Sequence, residues 1–279
     1  MIPLNLLDVT QYVEQKIGEF HHKKLDKVKS ISLKEVLKSK NPYLFKAKNV
    51  TQAHDIVKEI LDAYISSSEE GIFGNWLERL AIFINDKVYA GRKALGNDID
   101  LDFDRDGQRY LVSIKSGHNW GNGGQIKHMV NNFNTARRQL ATSGGNVNAM
   151  FVNGCCYGRS NSASEYKSTG NYYKICGQRV WELISGDANL YTELVIPLGH
   201  EAEAKNQEFQ ESYGALVNRL TGEFLADFCH IDGKIDWEKL VIFNSFTPPK
   251  LAKPATVNKI AIKKASQKKI PTAHKKSKS

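Results

Sequence analysis

Between Asn97 and Gly117, two runs of alternating polar and apolar residues flank the dipeptide Asp106-Gly107. Alternation at period two is the pattern of a half-buried strand. Asp-Gly between two such runs is a strong signal for a two-residue hairpin turn. With Asp106 and Gly107 as the loop, Arg105 faces Gln108, and the ladder runs back to set Asp100 opposite Ser113 and Asp98 opposite Lys115. Ile99, Leu101 and Phe103 then share one face with Tyr110, Val112 and Ile114. Asp98, Asp100, Asp102 and Asp104 share the other face with Ser113 and Lys115. Directly opposed Cβ atoms lie ~5 Å apart and diagonal ones ~7–8 Å, so Asp98 and Asp100 both come within reach of Lys115.

Aspartate is depleted in strands, and four on one face repel one another. Two readings are open. One is the solvated face of an amphipathic hairpin, with Lys115 in a surface ion pair worth ~0–1 kcal/mol. The other is a divalent metal site. Carboxylate oxygens suit Mg²⁺, which binds through one or two carboxylates and substrate phosphate. A neighbouring lysine can deprotonate or orient a water, or stabilise phosphoryl charge. Metal, carboxylates and lysine together fit hydrolysis of a phosphodiester.

An Asp on one strand, a short turn, and a strand ending (Asp/Glu)-X-Lys resembles the signature of the PD-(D/E)XK nuclease superfamily. The matching residues are Asp100 and Ser113-Ile114-Lys115. The surroundings resemble type II restriction endonucleases with a Ser-Ile-Lys or Ser-Leu-Lys version of the motif. Further stretches are similar to that group: Asn41-Pro42-Tyr43-Leu44-Phe45 with Ser66-Ser67-Ser68-Glu69-Glu70, then Gly154-Cys155-Cys156-Tyr157-Gly158, then Gly177 to Gly186. The resemblance covers roughly residues 35–245. It implies a restriction-endonuclease-like α/β fold, a mixed β-sheet between helical layers. It also implies Mg²⁺ as cofactor and a backbone carbonyl, that of Ile114, as a further metal ligand.

The chain departs from the superfamily pattern at Ser113, where an acid is usual. A hydroxyl is a poor replacement for a carboxylate ligand, so a second acid has to come from elsewhere. Phe73, Trp76, Leu77, Leu80 and Ile84 form an apolar stripe at helical period over residues 73–85. Glu78 lies beside Gly74, Ala81 and Ile82, at i±4 and i+3 spacings. An acid with such neighbours either snorkels to the surface or points into a site. The segment resembles the nuclease helix bearing a Gly-X-X-X-Glu signature, whose Glu serves the metal or its water. The site expected on these grounds has Asp100 and Glu78 as metal ligands, Asp98 as a further candidate, Lys115 acting on water or phosphate, and Ser113 in support.

Charge is unevenly placed. The chain has 39 Lys and Arg against 30 Asp and Glu, but ten lysines and no acid fall in residues 250–279, leaving residues 1–249 at −1. With Pro248 and Pro249 before it and no steady apolar period, this tail reads as disordered. Lysine tails bind nucleic acid through counterion release without reading sequence; a solubilising tail is the plainer alternative. The domains expected are a helical N-terminal part (1–66), a nuclease core with C-terminal helices (67–246) and the basic tail (247–279). Apolar residues recur at helical spacing along 202–228, and 178–185 also reads as a helix. Val50 to Ile65 reads as a separate helix ahead of that at 73–85.

Cys155, Cys156, Cys176 and Cys229 include no C-x-x-C pair, which argues against structural zinc. His21 and His22 sit in a lysine-rich helix end and read as solvated surface. No run of 18 apolar residues exists, and Met1–Asp8 lacks the basic start of a signal peptide. A cytoplasmic protein without a membrane segment is expected.

Two loops are candidates for DNA contact. The glycine-rich stretch after the lysine strand carries His118, Asn119, Trp120, Asn122 and Gln125, then opens a helix through about Leu140. Glycines there permit close approach to phosphates; a flexible connector is the alternative. Arg159, Ser160 and Asn161 follow a buried strand at 147–157, and Arg159 has the chemistry for guanine; an ordinary surface loop is the alternative. Three functions compete: a type II site-specific endonuclease of a restriction-modification system, a structure-selective junction or repair nuclease, and a non-cleaving DNA-binding protein. The first implies a homodimer on double-stranded DNA and a cognate methyltransferase on another chain.

Overall fold

Asp106 and Gly107 both take positive φ, 54° and 76°, the backbone that a type I′ turn requires at both central positions. The hairpin therefore forms in the expected register, from Arg105 opposite Gln108 to Leu101 opposite Val112. The computed structural model describes residues 2–94, 99–143, 148–159 and 165–247. The chain divides into a unit Met1–Ser245 and a second, Phe246–Ser279. Nearly all of the second, including the lysine tail, lies outside the described residues. So do Asp98, Ser160 and Asn161.

In chain order the elements are α1 (Leu6–Lys29), α2 (Leu33–Ser39), α3 (Pro42–Ala47), α4 (Ala53–Tyr89), β1 (Leu101–Arg105), β2 (Gln108–Gly117), α5 (Gly123–Thr142), β3 (Met150–Tyr157), β4 (Glu165–Lys167), β5 (Tyr172–Cys176), α6 (Gln178–Ser185), α7 (Leu190–Glu193), α8 (Val195–Leu198), α9 (Ala202–Phe228) and α10 (Trp237–Ser245). Among the described residues, five strands form one mixed sheet in the order β1-β2-β3-β5-β4. The central pairs β2·β3 and β3·β5 are parallel, and the outer pairs are antiparallel. Helices cover both faces, as expected. On one, Val112, Ile114 and Val152 pack with Trp76, Leu80 and Ile84 of α4 and Trp181 of α6. On the other, Leu111, Phe151 and Tyr172 pack under Met129, Phe133 and Ala136 of α5. A third cluster joins α2, α3, α9 and α10 to the first half of α4.

One expectation fails in α4. The two helices read at 50–65 and 73–85 are a single helix of 37 residues, about 55 Å long at 1.5 Å per residue. Ser66-Ser67-Ser68, Gly71 and Gly74 are weak helix formers, which hid the continuity. In the fold, the Ser67 and Ser68 hydroxyls donate back to the carbonyls of Ala63 and Tyr64, at 2.9 and 3.0 Å. The two ends of the helix are each buried in a different core, Ile56 to Ile65 in one and Trp76 to Ile84 in the other. Tertiary burial overrides local propensity here.

Candidate active site

The site begins where the hairpin register ends. Val112 is paired with Leu101, yet its carbonyl also accepts the N–H of Asp100 at 3.0 Å. Two residues of one strand thus oppose one of the other, which is a β-bulge. The expected pairing of Asp100 with Ser113 is therefore replaced. The bulge turns the chain so that Ile99 leaves the face of Leu101 and Phe103 and packs instead with Leu111 and Phe133. It also re-aims Asp100. The Oδ2 of Asp100 accepts the Ile114 N–H at 2.7 Å, so the carboxylate stands where a ladder carbonyl would otherwise be.

The aspartates do not form a solvated row. Asp100 is only 8% exposed and Ser113 2%. Asp102 is held by a two-pronged bond from Arg109, Nε at 2.8 Å and Nη2 at 2.7 Å, a structural pairing of the strong bidentate kind. Arg105 donates to the carbonyls of Glu182 and Leu183 at 2.8 and 3.0 Å, tying the hairpin turn to the end of α6.

Glu78 and Lys115 both approach Asp100, the first from α4 and the second from β2. Lys115 Nζ is 4.0 Å from Asp100 Oδ2 and 5.0 Å from the Trp120 ring centroid. Glu78 comes from α4, which can pass close because residue 74 is glycine: a Cβ there would lie 3.2 Å from the Ser116 Cβ. That is the physical sense of the Gly-X-X-X-Glu spacing, since the glycine sets the height of the glutamate over the sheet. Burial, and next the nearby Glu78 charge, raise the Asp100 carboxyl to about 6, while Lys115, the Ile114 N–H and Lys93 pull it down. The Cys156 thiol, under the same spot, is pushed up to about 12 by burial first and then by Glu78 and Asp100. Lys93 Nζ pairs with Glu78 Oε1 at 3.1 Å. No pattern in the sequence marked Lys93, because it lies in the irregular link between α4 and β1.

Two close carboxylates in a low-dielectric setting call for a cation. Their hard oxygens, with a backbone carbonyl nearby, suit Mg²⁺, Mn²⁺ or Ca²⁺ rather than softer metals. Among the described residues, no group of three or more His, Cys, Asp or Glu forms a metal cluster. Mg²⁺ needs no such cage, since waters and substrate phosphate complete its shell. The residues present fit the ion.

Beside Lys115 opens a cavity of about 540 Å³ whose walls include Ser113, Lys115, Trp120 and the first turns of α5. Asn122 and Gln125 are spent partly on structure. They form a capping box, in which Asn122 Oδ1 accepts from the Gly124 and Gln125 N–H and Gln125 Oε1 from that of Asn122. This box, rather than a flexible connector, opens α5. Asn119 and Arg159 are exposed, whereas His118 and Trp120 are half-buried.

The short motifs flanking the lysine strand meet in space. The Tyr157 ring covers Gly117, Gly158 at φ +102° lies against the His118 ring, and Gly177 at φ +57° packs on the Gly158 carbonyl. Lys174 Nζ holds the His118 carbonyl at 2.8 Å, and Trp181 Nε1 donates to the Cys156 carbonyl at 2.9 Å. These contacts fix the loops that leave the parallel strands beside Lys115. Gly158→Ala is expected to destabilise the fold by at least about 2 kcal/mol, through left-handed strain and overlap with His118. Urea unfolding checks this; a change below about 0.5 kcal/mol, the usual range of an indifferent surface substitution, would contradict it.

A mixed sheet whose antiparallel hairpin carries a buried aspartate, a Ser-Ile-Lys strand and an apposed helix glutamate is similar to the frame of a PD-(D/E)XK-type nuclease. The sequence model of the type II restriction endonuclease EcoO109I family matches residues 7–206, and the chain belongs to that family. No curated protein sequence matches the chain. The protein is thus a type II restriction endonuclease, a phosphodiester hydrolase that cuts DNA site-specifically in a restriction-modification system. Members of such families typically depend on a divalent metal. Among the described residues, no helix is long and apolar enough to cross a membrane.

Proposed function

We propose that the enzyme hydrolyses double-stranded DNA at a short recognition sequence with Mg²⁺, acting as a cytoplasmic homodimer. A separate methyltransferase would modify the same site. The observation that carries the residue roles is the convergence of Asp100, Glu78 and Lys115 at the bulge. Asp100 and Glu78 would hold the ion, with the Ile114 carbonyl and Asp98 as further ligands. When bound, Mg²⁺ would polarise the scissile phosphate and lower the pKa of a water.

The chain's own groups do the rest. Lys115 Nζ, set between Trp120 and Asp100, orients the attacking water and stabilises charge on the phosphate. The water oxygen bonds to phosphorus and gives up its proton to solvent, as the bond to the leaving sugar oxygen breaks and that oxygen takes a proton from a neighbouring water. The buried Ser113 stands in the same cavity wall as Lys115 and supports its placement. His118, Asn119, Trp120, Asn122 and Gln125 on one loop, with Arg159, Ser160 and Asn161 on the other, contact the duplex. The lysine tail adds affinity for phosphates without sequence preference. Each chain contributes one such site, and cutting both strands takes two, so a two-fold pair on a two-fold DNA site follows.

Digestion of unmethylated plasmid with Mg²⁺, against a chelator control, tests the reading. Discrete bands are expected; absence of metal-dependent cutting would overturn it. Glu78→Gln is expected to raise the Mg²⁺ requirement and to lower the rate by at least ~10–100-fold, the loss that even a group outside the ion's own ligands produces. A Mg²⁺ titration of cleavage reads both. A wild-type curve would move the second acidic ligand to Asp98.

A further inference from the structure

Helix α5 carries two stripes of different chemistry. Met129, Phe133 and Ala136 are buried on the sheet. Displaced by one residue, Gln125, His128 and Asn132 line the same cavity as Ser113 and Lys115. Their i, i+3, i+7 spacing puts them on one face. We infer that this stripe reads base edges beside the scissile phosphate, so that His128 and Asn132 determine specificity. The inference rests on the nuclease reading of the Asp100 site.

The side-chain chemistry supports it. Amides and imidazole offer the paired donors and acceptors that match adenine and guanine edges in the major groove, which is wide enough for a helix. From Gln125 to Asn132 the helix rises about 10 Å, the length of about three base-pair steps at 3.4 Å. Electrostatics agree as well. The 20 residues of α5 include no acid, so nothing on it repels a phosphate backbone. Its bases are differently placed. Arg137 is turned inward, its guanidinium 4.0 Å from the Phe151 ring centroid. Lys127 and Arg138 are exposed and suit phosphates, which position the protein without specifying sequence. A second copy of the chain is the less suitable occupant, because the cores of such interfaces are apolar and this stripe is polar.

The test uses full-length enzyme, Mg²⁺ and a randomised duplex library whose cut ends are sequenced, with wild type, His128→Ala and Asn132→Ala. Expected for each variant is a ~10–100-fold slower cut at the wild-type sequence, the range for one lost base contact. Cutting of sequences altered at one base pair should rise relative to it. Binding to a duplex without the site should stay unchanged. His128→Gln and Asn132→Gln, melting like wild type, are expected to shift base preference and so guard against a mere folding defect. If all variants cut the wild-type sequences in the same relative order, at full or uniformly reduced rate, the inference is overturned. A change in sedimentation with unchanged base preference overturns it in favour of an interface. If wild type cuts nothing, the nuclease reading itself fails, and this inference with it.

Discussion

Replacing Lys115 by alanine is expected to slow DNA cleavage ~10²–10⁴-fold, the usual contribution of one positioned acid–base group, while specific binding persists. Lys115 is the cationic side chain placed 4.0 Å from the Asp100 carboxylate, with its Nζ held near the Trp120 ring. Its surroundings therefore fix where its charge sits, and the walls of the adjoining cavity leave room for a phosphate. Lys115→Met keeps most of the stem against Trp120 and should be as inactive as the alanine variant, which separates chemistry from packing. Single-turnover cleavage at saturating Mg²⁺, beside a gel-shift titration in Ca²⁺, reads the two effects. Cleavage within about twofold of wild type would remove Lys115 from the chemistry, because a positioned group contributes far more.

Asp100→Asn is expected to act in opposite directions on activity and stability. Metal-dependent cutting should be lost, since the carboxylate at the bulge is gone. In metal-free protein the same change should stabilise the fold near neutral pH. The sign follows from the raised folded-state value of about 6. Below about pH 4, Asp100 is protonated whether folded or not, and contributes nothing to the pH dependence. As pH rises towards 6, the unfolded chain has given up the proton and the native state retains it, so native stability falls. Above 6 the penalty is complete, about 3 kcal/mol at ~1.4 kcal/mol per pKa unit. Thermal melts in chelator should therefore show Asp100→Asn more stable than wild type at pH 7, with the gap closing towards pH 4. A variant less stable at pH 7 would contradict the burial penalty assigned to this carboxylate. The same proton competes with a metal ion, so wild-type cleavage should weaken as pH drops below about 6.

Much of this was legible in the sequence, and the reasons are local. The hairpin register from Arg105 to Leu101 was readable because a two-residue turn with positive φ at both positions fixes strand pairing, and Asp106-Gly107 satisfies it. The spans Gln178–Ser185 and Ala202–Phe228 were readable because an apolar stripe of helical period has only one regular way to be buried. The candidate site was readable as residue types that come near one another: an acid, a lysine two residues after a serine, and a glutamate four after a glycine.

What the tertiary structure alone decided concerns competition between distant groups. Nothing local marks the bulge, which forms because the Asp100 carboxylate satisfies the Ile114 N–H that regular pairing would give to a carbonyl. The continuity of α4 across its serines and glycines depends on two separate cores holding its ends. Lys93 reaches Glu78 only because α4 and β1 are packed together. The polar stripe of α5 gains meaning only from the cavity that it shares with Lys115. Periodicity along a chain reports which face of an element is buried. Which polar groups face each other across elements is set by packing, and a carboxyl is shifted by burial and by neighbours far along the chain, as Asp100 is first by its burial and then by Glu78.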